Sequence, residues 1–253
     1  MPSSFQRLQK TWESLGEDDP LWAIVSEPDK KGGRWETVDF LKSGDEVVDR
    51  YLRLLQQHGG PETFEEVLDF GCGVGRLTLS WSRHARTVTG VDISRSMIER
   101  GRRLLAGCDA ITLELNQAEK LSIFSDERFD LVFSHIVLQH LPWGYAKVYL
   151  REFARVCRPG GWVAFQLPTC PGQPQFFPRL RRSIVDHLPF GLGEAYRRQR
   201  KGSSVLFDMH FTSPDKVKAV LSRSGLNEIH REPDDSAGAG TKGFVYLYRK
   251  PPV

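Results

Sequence analysis

Three groups of residues in this 253-residue chain have the types and spacing to do chemistry. The first is an acid two positions ahead of a glycine run, Asp69 before Gly71, Gly73 and Gly75, with a second acid at Asp92. Glycine lets a backbone pass close to a ligand. A dinucleotide loop spaces its glycines G-x-G-x-x-G and offers bare amides and a helix N-terminus to a pyrophosphate. Here the spacing is G-x-G-x-G, and Asp69 would repel a pyrophosphate. It suits a ligand bearing an ammonium and a sulfonium, with an attraction on the order of a few kcal/mol in a partly desolvated cleft. Asp92 offers two oxygens to the two hydroxyls of a ribose. Such a loop fits S-adenosylmethionine better than a nicotinamide dinucleotide.

The second group is His135, His140 and His210. An imidazole titrates near 6.5 and suits proton abstraction from a hydroxyl or an ammonium at neutral pH. His135 follows a predicted strand, at the carboxyl end where such sheets bind ligands. His140, within Gln139-His140-Leu141-Pro142, reads more readily as support for its own loop. His210, between Met209 and Phe211, reads equally as a half-buried strand residue. The third group is the run from Cys170 to Gly202. It carries seven basic residues (Arg179, Arg181, Arg182, Arg197, Arg198, Arg200, Lys201) against Asp186 and Glu194, with Phe176, Phe177, Phe190 and Tyr196 between them. This is either a solvated basic face or a lid whose arginines attract a carboxylate or phosphate on an acceptor.

The elements that must position these groups follow from periodicity. Residues 67–70, 87–91, 111–115, 129–133 and 162–165 read as strands, alternating with helices over 74–84, from about 94, and over 143–157. Strand and helix in alternation imply a parallel sheet covered on both faces, doubly wound by right-handed crossovers. A helix over 45–55 precedes the sheet, after Ser43-Gly44. Ser213-Pro214 starts a later helix that Gly225 ends, and residues 243–248 form the final strand. The expected division is 1–253 as a single domain, with 1–60 as a helical cap and 61–168 as the ligand-binding core. An insertion or lid follows at 169–210, then a closing helix and strands at 211–253.

Composition sets the remaining bounds. The net charge is +3, 40% of residues are hydrophobic and 26% charged, and mean hydropathy is −0.39. A disordered chain is excluded. No run approaches the roughly 18 apolar residues of a membrane span. Met1 to Lys10 lack the apolar stretch of a secretory leader. Cys72, Cys108, Cys157 and Cys170 are widely separated, which argues against a disulfide framework or a structural zinc site and makes the cytoplasm the expected compartment. No acidic cluster suggests a metal, so none is expected.

With these motifs the sequence resembles the class I S-adenosylmethionine-dependent methyltransferases. The resemblance rests on Asp69-Phe70-Gly71-Cys72-Gly73-Val74-Gly75, on Gly90-Val91-Asp92-Ile93-Ser94 with Met97, and on Phe129-Asp130-Leu131-Val132-Phe133-Ser134-His135. Leu138-Gln139-His140-Leu141-Pro142 and Arg158-Pro159-Gly160-Gly161 complete it. It is strong over about 66–166 and looser over the last forty or so residues. It implies a Rossmann-like, mostly parallel sheet of seven strands. It also implies that Asp69, Gly71, Cys72, Gly73 and Gly75 hold the methionine part of the cofactor and Asp92 the ribose. Ile93 would pack on the adenine, and Ser134 and His135 would flank the transferred methyl; Ile93 and Met97 read equally well as core. Family members usually carry Asp-Ala where this chain has Gln117-Ala118, and a glutamine carbonyl accepts the same bond.

The function expected is methyl transfer to an oxygen or nitrogen of a small, anionic acceptor. Trp22, Arg179, Arg182, Tyr196 and His210 are the candidate acceptor contacts, and Trp12 and Trp22 the candidates for closing the cleft. An RNA acceptor is the first alternative. It is disfavoured because there is no RNA-binding module and because Ser134-His135-Ile136-Val137 stands where a base-methylating tetrad would. A cofactor-binding scaffold without transfer activity is the second.

Overall fold

The strands at the centre of the sheet are near-continuous apolar runs, as burial on both faces demands. The computed structural model describes residues 3–170, 209–238 and 240–252. Its strands are β1 (Phe64–Phe70), β2 (Ala85–Asp92), β3 (Ile111–Leu115), β4 (Phe129–Ser134), β5 (Cys157–Cys170), β6 (Asn227–Asp234) and β7 (Lys242–Arg249). They form one seven-stranded sheet in the order β3-β2-β1-β4-β5-β7-β6. All neighbours are parallel except those of β7, which runs antiparallel to both β5 and β6. The order reverses between β1 and β4. A doubly wound sheet opens a ligand crevice at that switch point, beyond the carboxyl ends of the strands.

The helices are α1 (Ser4–Asp18), α2 (Pro20–Ile24), α3 (Thr37–Gln57), α4 (Arg76–Trp81), α5 (Arg95–Leu104), α6 (Trp143–Val156) and α7 (Pro214–Arg223). α3 and α4 cover one face through Tyr51, Leu55, Trp81 and their contacts with Phe133, Trp162 and Leu247. α6 and α7 cover the other through Tyr149, Phe153, Val217 and Leu221, against Phe70, Phe165 and Tyr246. No helix among the described residues is long and apolar enough to cross a membrane.

Three elements differ from the sequence expectation. α3 starts at Thr37 and runs straight through Ser43-Gly44, where a break was expected. Gly44 is the point at which α3 crosses α4: a Cβ there would stand 2.7 Å from Ser80 Oγ and 2.8 Å from the Arg76 carbonyl. The glycine serves close approach, at a helix-propensity cost of roughly 1 kcal/mol. Pro159-Gly160-Gly161 lies inside β5, which starts at Cys157. β6 carries Asn, Glu, His, Arg, Pro and Asp in its eight residues, a composition foreign to strands that an edge position tolerates. Most of the proposed insertion, residues 171–208, lies outside the described residues. The expectations for Arg179, Arg182 and Tyr196 fall there.

Candidate cofactor and acceptor site

β1 delivers Asp69 to the crevice with only 2% of its surface exposed. Thr78 Oγ1, from α4, donates to its carboxylate at 2.6 Å. Burial pushes the Asp69 carboxyl up to about 6, against the opposing pull of the Thr78 hydrogen bond and the Arg76 charge. The neighbouring position on β2 has to be a glycine, because a Cβ on Gly90 would stand 2.9 Å from Thr78 Oγ1.

The loop after β1 turns through left-handed backbone at Gly71, Gly73 and Gly75, with φ of 77°, 56° and 88°. Its amides are already engaged. Gly71 and Cys72 both donate to the Val91 carbonyl, at 2.8 and 3.1 Å, and Gly75 donates to the Cys72 carbonyl at 2.9 Å. Gly73 donates to Asp92 Oδ2 at 2.9 Å. A phosphate cradle needs free amides, and these four have none to offer. The two carboxylates beside them are burdened with desolvation instead. Asp92 is raised by burial and by the charge of Glu13, and partly held down by the backbone amides of Ser94, Gly73 and Ile93. Two carboxyls pushed up by burial beside a closed amide loop match a cationic nucleoside. The donor set fits S-adenosylmethionine, and its failure to suit a pyrophosphate agrees with the loop spacing.

Asp92 is held at the end of β2 by Gly73 on one oxygen and by the Ser94 amide, at 2.9 Å, on the other. A carboxylate has about four lone-pair sites, so both oxygens retain capacity for ribose hydroxyls. Gln117 is exposed at the end of β3. Its Nε2 lies 3.5 Å from the Ile93 carbonyl, which leaves its own carbonyl to accept. The residue before it went unnoticed in the sequence. Asn116 is 4% exposed and donates to the Ala118 and Lys120 carbonyls, so it shapes the loop that presents Gln117 and Ala118. Tyr149 donates to the Ala118 carbonyl as well, at 2.7 Å.

Several expected contacts take other roles. Met97 is 1% exposed and packs with Leu15, Leu21, Phe40 and Val74, so it is core beneath the N-terminal helices. The Cys72 side chain packs with Ile98, Leu105 and Leu113, which leaves only its backbone in the loop. The Ser134 hydroxyl is fully buried and donates to the Phe70 carbonyl at 3.1 Å, tying the ends of β4 and β1 together. Trp22 turns its indole N–H to the Glu27 carbonyl and its ring to Lys31. Trp12, by contrast, meets the far wall: its ring stands edge-on to His140 at 5.2 Å.

The histidines separate in the same way. His135 is 8% exposed and its Nδ1 lies 3.2 Å from Tyr51 Oη, on α3. Burial, assisted by Arg76 and Arg50, pushes it down to about 3 against the attraction of Asp234. It is a neutral imidazole at ordinary pH, and a group that basic only below pH 3 abstracts protons poorly. His140 is half-buried against Trp12 and Gln139, as loop support requires. His210 is half-buried, and its backbone amide donates to the Gln139 carbonyl at 2.7 Å, which places it beside the loop that follows β4.

Five further residues had no role assigned from the sequence. Ile24 from α2 and Val137 from the loop after β4 close over the glycine loop: a Cβ on Gly73 would stand 2.5 Å from Ile24 and one on Gly71 2.4 Å from Val137. Arg76 is 6% exposed, with Nε unpaired, and burial lowers it to about 10. Glu13 on α1 accepts from the Arg95 and Ser96 amides at 2.7 and 3.1 Å, capping α5 from outside. Ile136, next to His135, holds a φ of 58°, which a β-branched residue adopts only under strain. Arg76 had a sequence cue in its place directly after the glycine run, and Ile136 and Val137 in theirs directly after His135. No cluster of three or more potential metal ligands occurs among the described residues.

Comparison with known proteins agrees with this geometry. Residues 67–161 match the family model of a methyltransferase domain. The chain is 33% identical over 216 residues to the ubiquinone biosynthesis O-methyltransferase of Thiobacillus denitrificans, covering 85% of this chain and 84% of that one. It is 29% identical over 220 residues to the trans-aconitate 2-methyltransferase of Methylobacterium nodulans, covering 85% and 78%. Against similar mycobacterial proteins of 29% identity it spans only 55% of their length. The N-methyltransferase NodS of Bradyrhizobium japonicum WM9, solved with S-adenosyl-L-homocysteine, shares the fold at a TM-score of 0.61 and 17% identity, over 96% of this chain and 98% of that one. The closed glycine loop, its two acids and this family match converge: the chain belongs to the class I methyltransferases, whose cofactor is S-adenosylmethionine.

Proposed function

We propose that this protein transfers a methyl group to an oxygen or nitrogen of a small-molecule acceptor. The observation that carries the reading is the pair of carboxylates, buried Asp69 and half-buried Asp92, beside a loop whose amides are already engaged. The cofactor, when bound, supplies a methyl on a sulfonium that is already an activated leaving group. The protein then has to orient the partners and exclude water. Asp69 would hold the ammonium end, Asp92 the ribose and Gln117 the adenine edge, while Ile24 and Val137 keep solvent off the loop. The ordered wall from Trp12 to His140 adds to that exclusion.

A neutral His135 changes the reading of the acceptor. An acceptor that arrives already deprotonated, as a carboxylate or phenolate, needs no proton removed. The arginines at 179 and 182, with Tyr196, are proposed to attract such an anion, and His210 to meet it beside the loop after β4. Two relatives named for small-molecule substrates, trans-aconitate and ubiquinone biosynthesis, support a small acceptor. The test is to incubate the protein and methyl-labelled cofactor with a cell extract and fractionate the products. Label in an acidic small-molecule fraction is expected. Label in RNA, or bound cofactor with no labelled product, would overturn the reading.

A further inference from the structure

Arg76 opens α4 directly after Gly75 and is only 6% exposed. Its Nη1 donates to the Ser43 carbonyl at 3.0 Å and to Ser43 Oγ at 3.3 Å, and its guanidinium lies 6.0 Å from the centre of the Phe40 ring. Both residues belong to α3, which fixes where the side chain can point. Nε is sealed from solvent with no partner, while Nη2 makes no hydrogen bond and is not sealed. Burial lowers the group to about 10, which leaves it charged at ordinary pH. A buried cation without a matching anion is costly, and such groups in native proteins call for an explanation. The acid whose charge acts on it is Asp69, at the carboxyl end of β1, and no hydrogen bond joins the two. Its own charge acts in turn on His135, just beyond β4. The guanidinium therefore stands over the switch point between β1 and β4, on the Asp69 side of the crevice.

We propose that Arg76 binds the carboxylate at the methionine end of the cofactor, so that Arg76 and Asp69 together grip the two charges of its amino-acid tail. The inference rests on the methyltransferase reading and extends it. S-adenosylmethionine carries an ammonium and a carboxylate on one carbon, and Asp69 answers only the first. The amides of Gly71, Cys72, Gly73 and Gly75 are engaged within the protein and cannot take the second. A guanidinium presents five donors in a planar fork that suits a carboxylate, and Ser43 occupies one arm of it. Nη2 is the arm left to meet the incoming oxygen. Pairing there neutralises a charge that the free protein holds buried, which is where such a contact gains most.

The test is calorimetry on the full chain, well above pH 6 so that Asp69 is ionised, with two ligands. One is S-adenosyl-L-homocysteine, and the other is its decarboxylated analogue, which keeps the ammonium, the thioether and the nucleoside. The parent is expected to bind the first about tenfold or more tighter than the second. Arg76→Met, which keeps an apolar stem, should bind the two equally, with affinity for the analogue at or above the parent's. Arg76→Lys keeps a charge without the fork and should retain part of the preference. A role confined to folding would weaken both ligands alike and leave their ratio intact, and that outcome overturns the proposal. So does a parent with no preference between them. Should Arg76→Met fail to fold, nuclear magnetic resonance of the parent's arginine side-chain nitrogens decides. Arg76 should shift far more with S-adenosyl-L-homocysteine than with the analogue, and identical shifts overturn the proposal. A parent that binds neither ligand would instead sink the methyltransferase reading itself.

Discussion

At the scale of single residues, Asp69 makes the sharpest prediction. Folding raises its carboxyl from an ordinary 3.8 to about 6, so the folded state binds this proton more tightly than the unfolded chain does. Its contribution to stability is therefore full below about pH 4 and falls away as pH rises toward 6. Binding of a cation runs the other way, because it needs the ionised form. Affinity for S-adenosylmethionine should rise between roughly pH 5 and 7, with one proton released on binding below the midpoint; calorimetry in two buffers of different ionisation enthalpy measures both. A flat affinity across that range would remove Asp69 from the site. Thr78→Val deletes the hydrogen bond that favours the ionised form and should move the midpoint upward. Asp92→Ala should weaken cofactor binding at least tenfold by calorimetry, about 1.4 kcal/mol or more. These two acids were readable from the chain because their role follows from type and spacing. Thr78 was not, since its hydroxyl reaches Asp69 only through the way α4 packs back on β1.

At the scale of elements, glycine and proline gave the clearest and the most misleading signals. The run at 71–75 was read as a tight turn, and its glycines do turn through left-handed backbone. Gly75→Ala should lower stability by about 1–2 kcal/mol in chemical denaturation, the cost of a Cβ in left-handed backbone, with more added because that Cβ would meet Leu105 at 2.5 Å. Gly44 looked like the same kind of punctuation and is a helix-crossing contact instead. A local pattern cannot tell these apart, because the reason for a small residue lies in the partner helix. The docking of α1 on α5 is equally illegible: Glu13 caps a helix that starts 82 positions later. Glu13→Ala should raise hydrogen exchange throughout α1, by about 1 kcal/mol of lost protection, with a smaller effect on the sheet. Equal deprotection of α1 and β4 would show that the helix is not a separately opening unit.

For the molecule as a whole, the parallel core was legible because buried strands alternate with helices, while the far edge was not. β6 is held there by polar bonds that no hydrophobic pattern announces. Arg50 on α3 reaches Glu232 and Asp234 at 2.7 and 2.6 Å, and the Asp234 side chain is fully buried. Burial would raise that carboxyl, but hydrogen bonds from Ser236 and Arg50 outweigh it and hold it below its ordinary value. Arg50→Leu leaves the carboxylate short of a partner and should cost about 1–3 kcal/mol in urea denaturation. Adding Asp234→Asn should recover part of that loss, and strict additivity of the two would show that the pair is uncoupled. Asp234 and Arg50 also pull the protonation of His135 in opposite directions, the first upward and the second downward. The last consequence belongs to α1. It is fastened on one bank of the crevice by Glu13 at α5 and on the other by Trp12 at His140. A nucleoside seated below such a strap leaves only when one fastening lets go. The tempo of successive turnovers would then be set by a helix swinging free rather than by the bond exchange at sulfur.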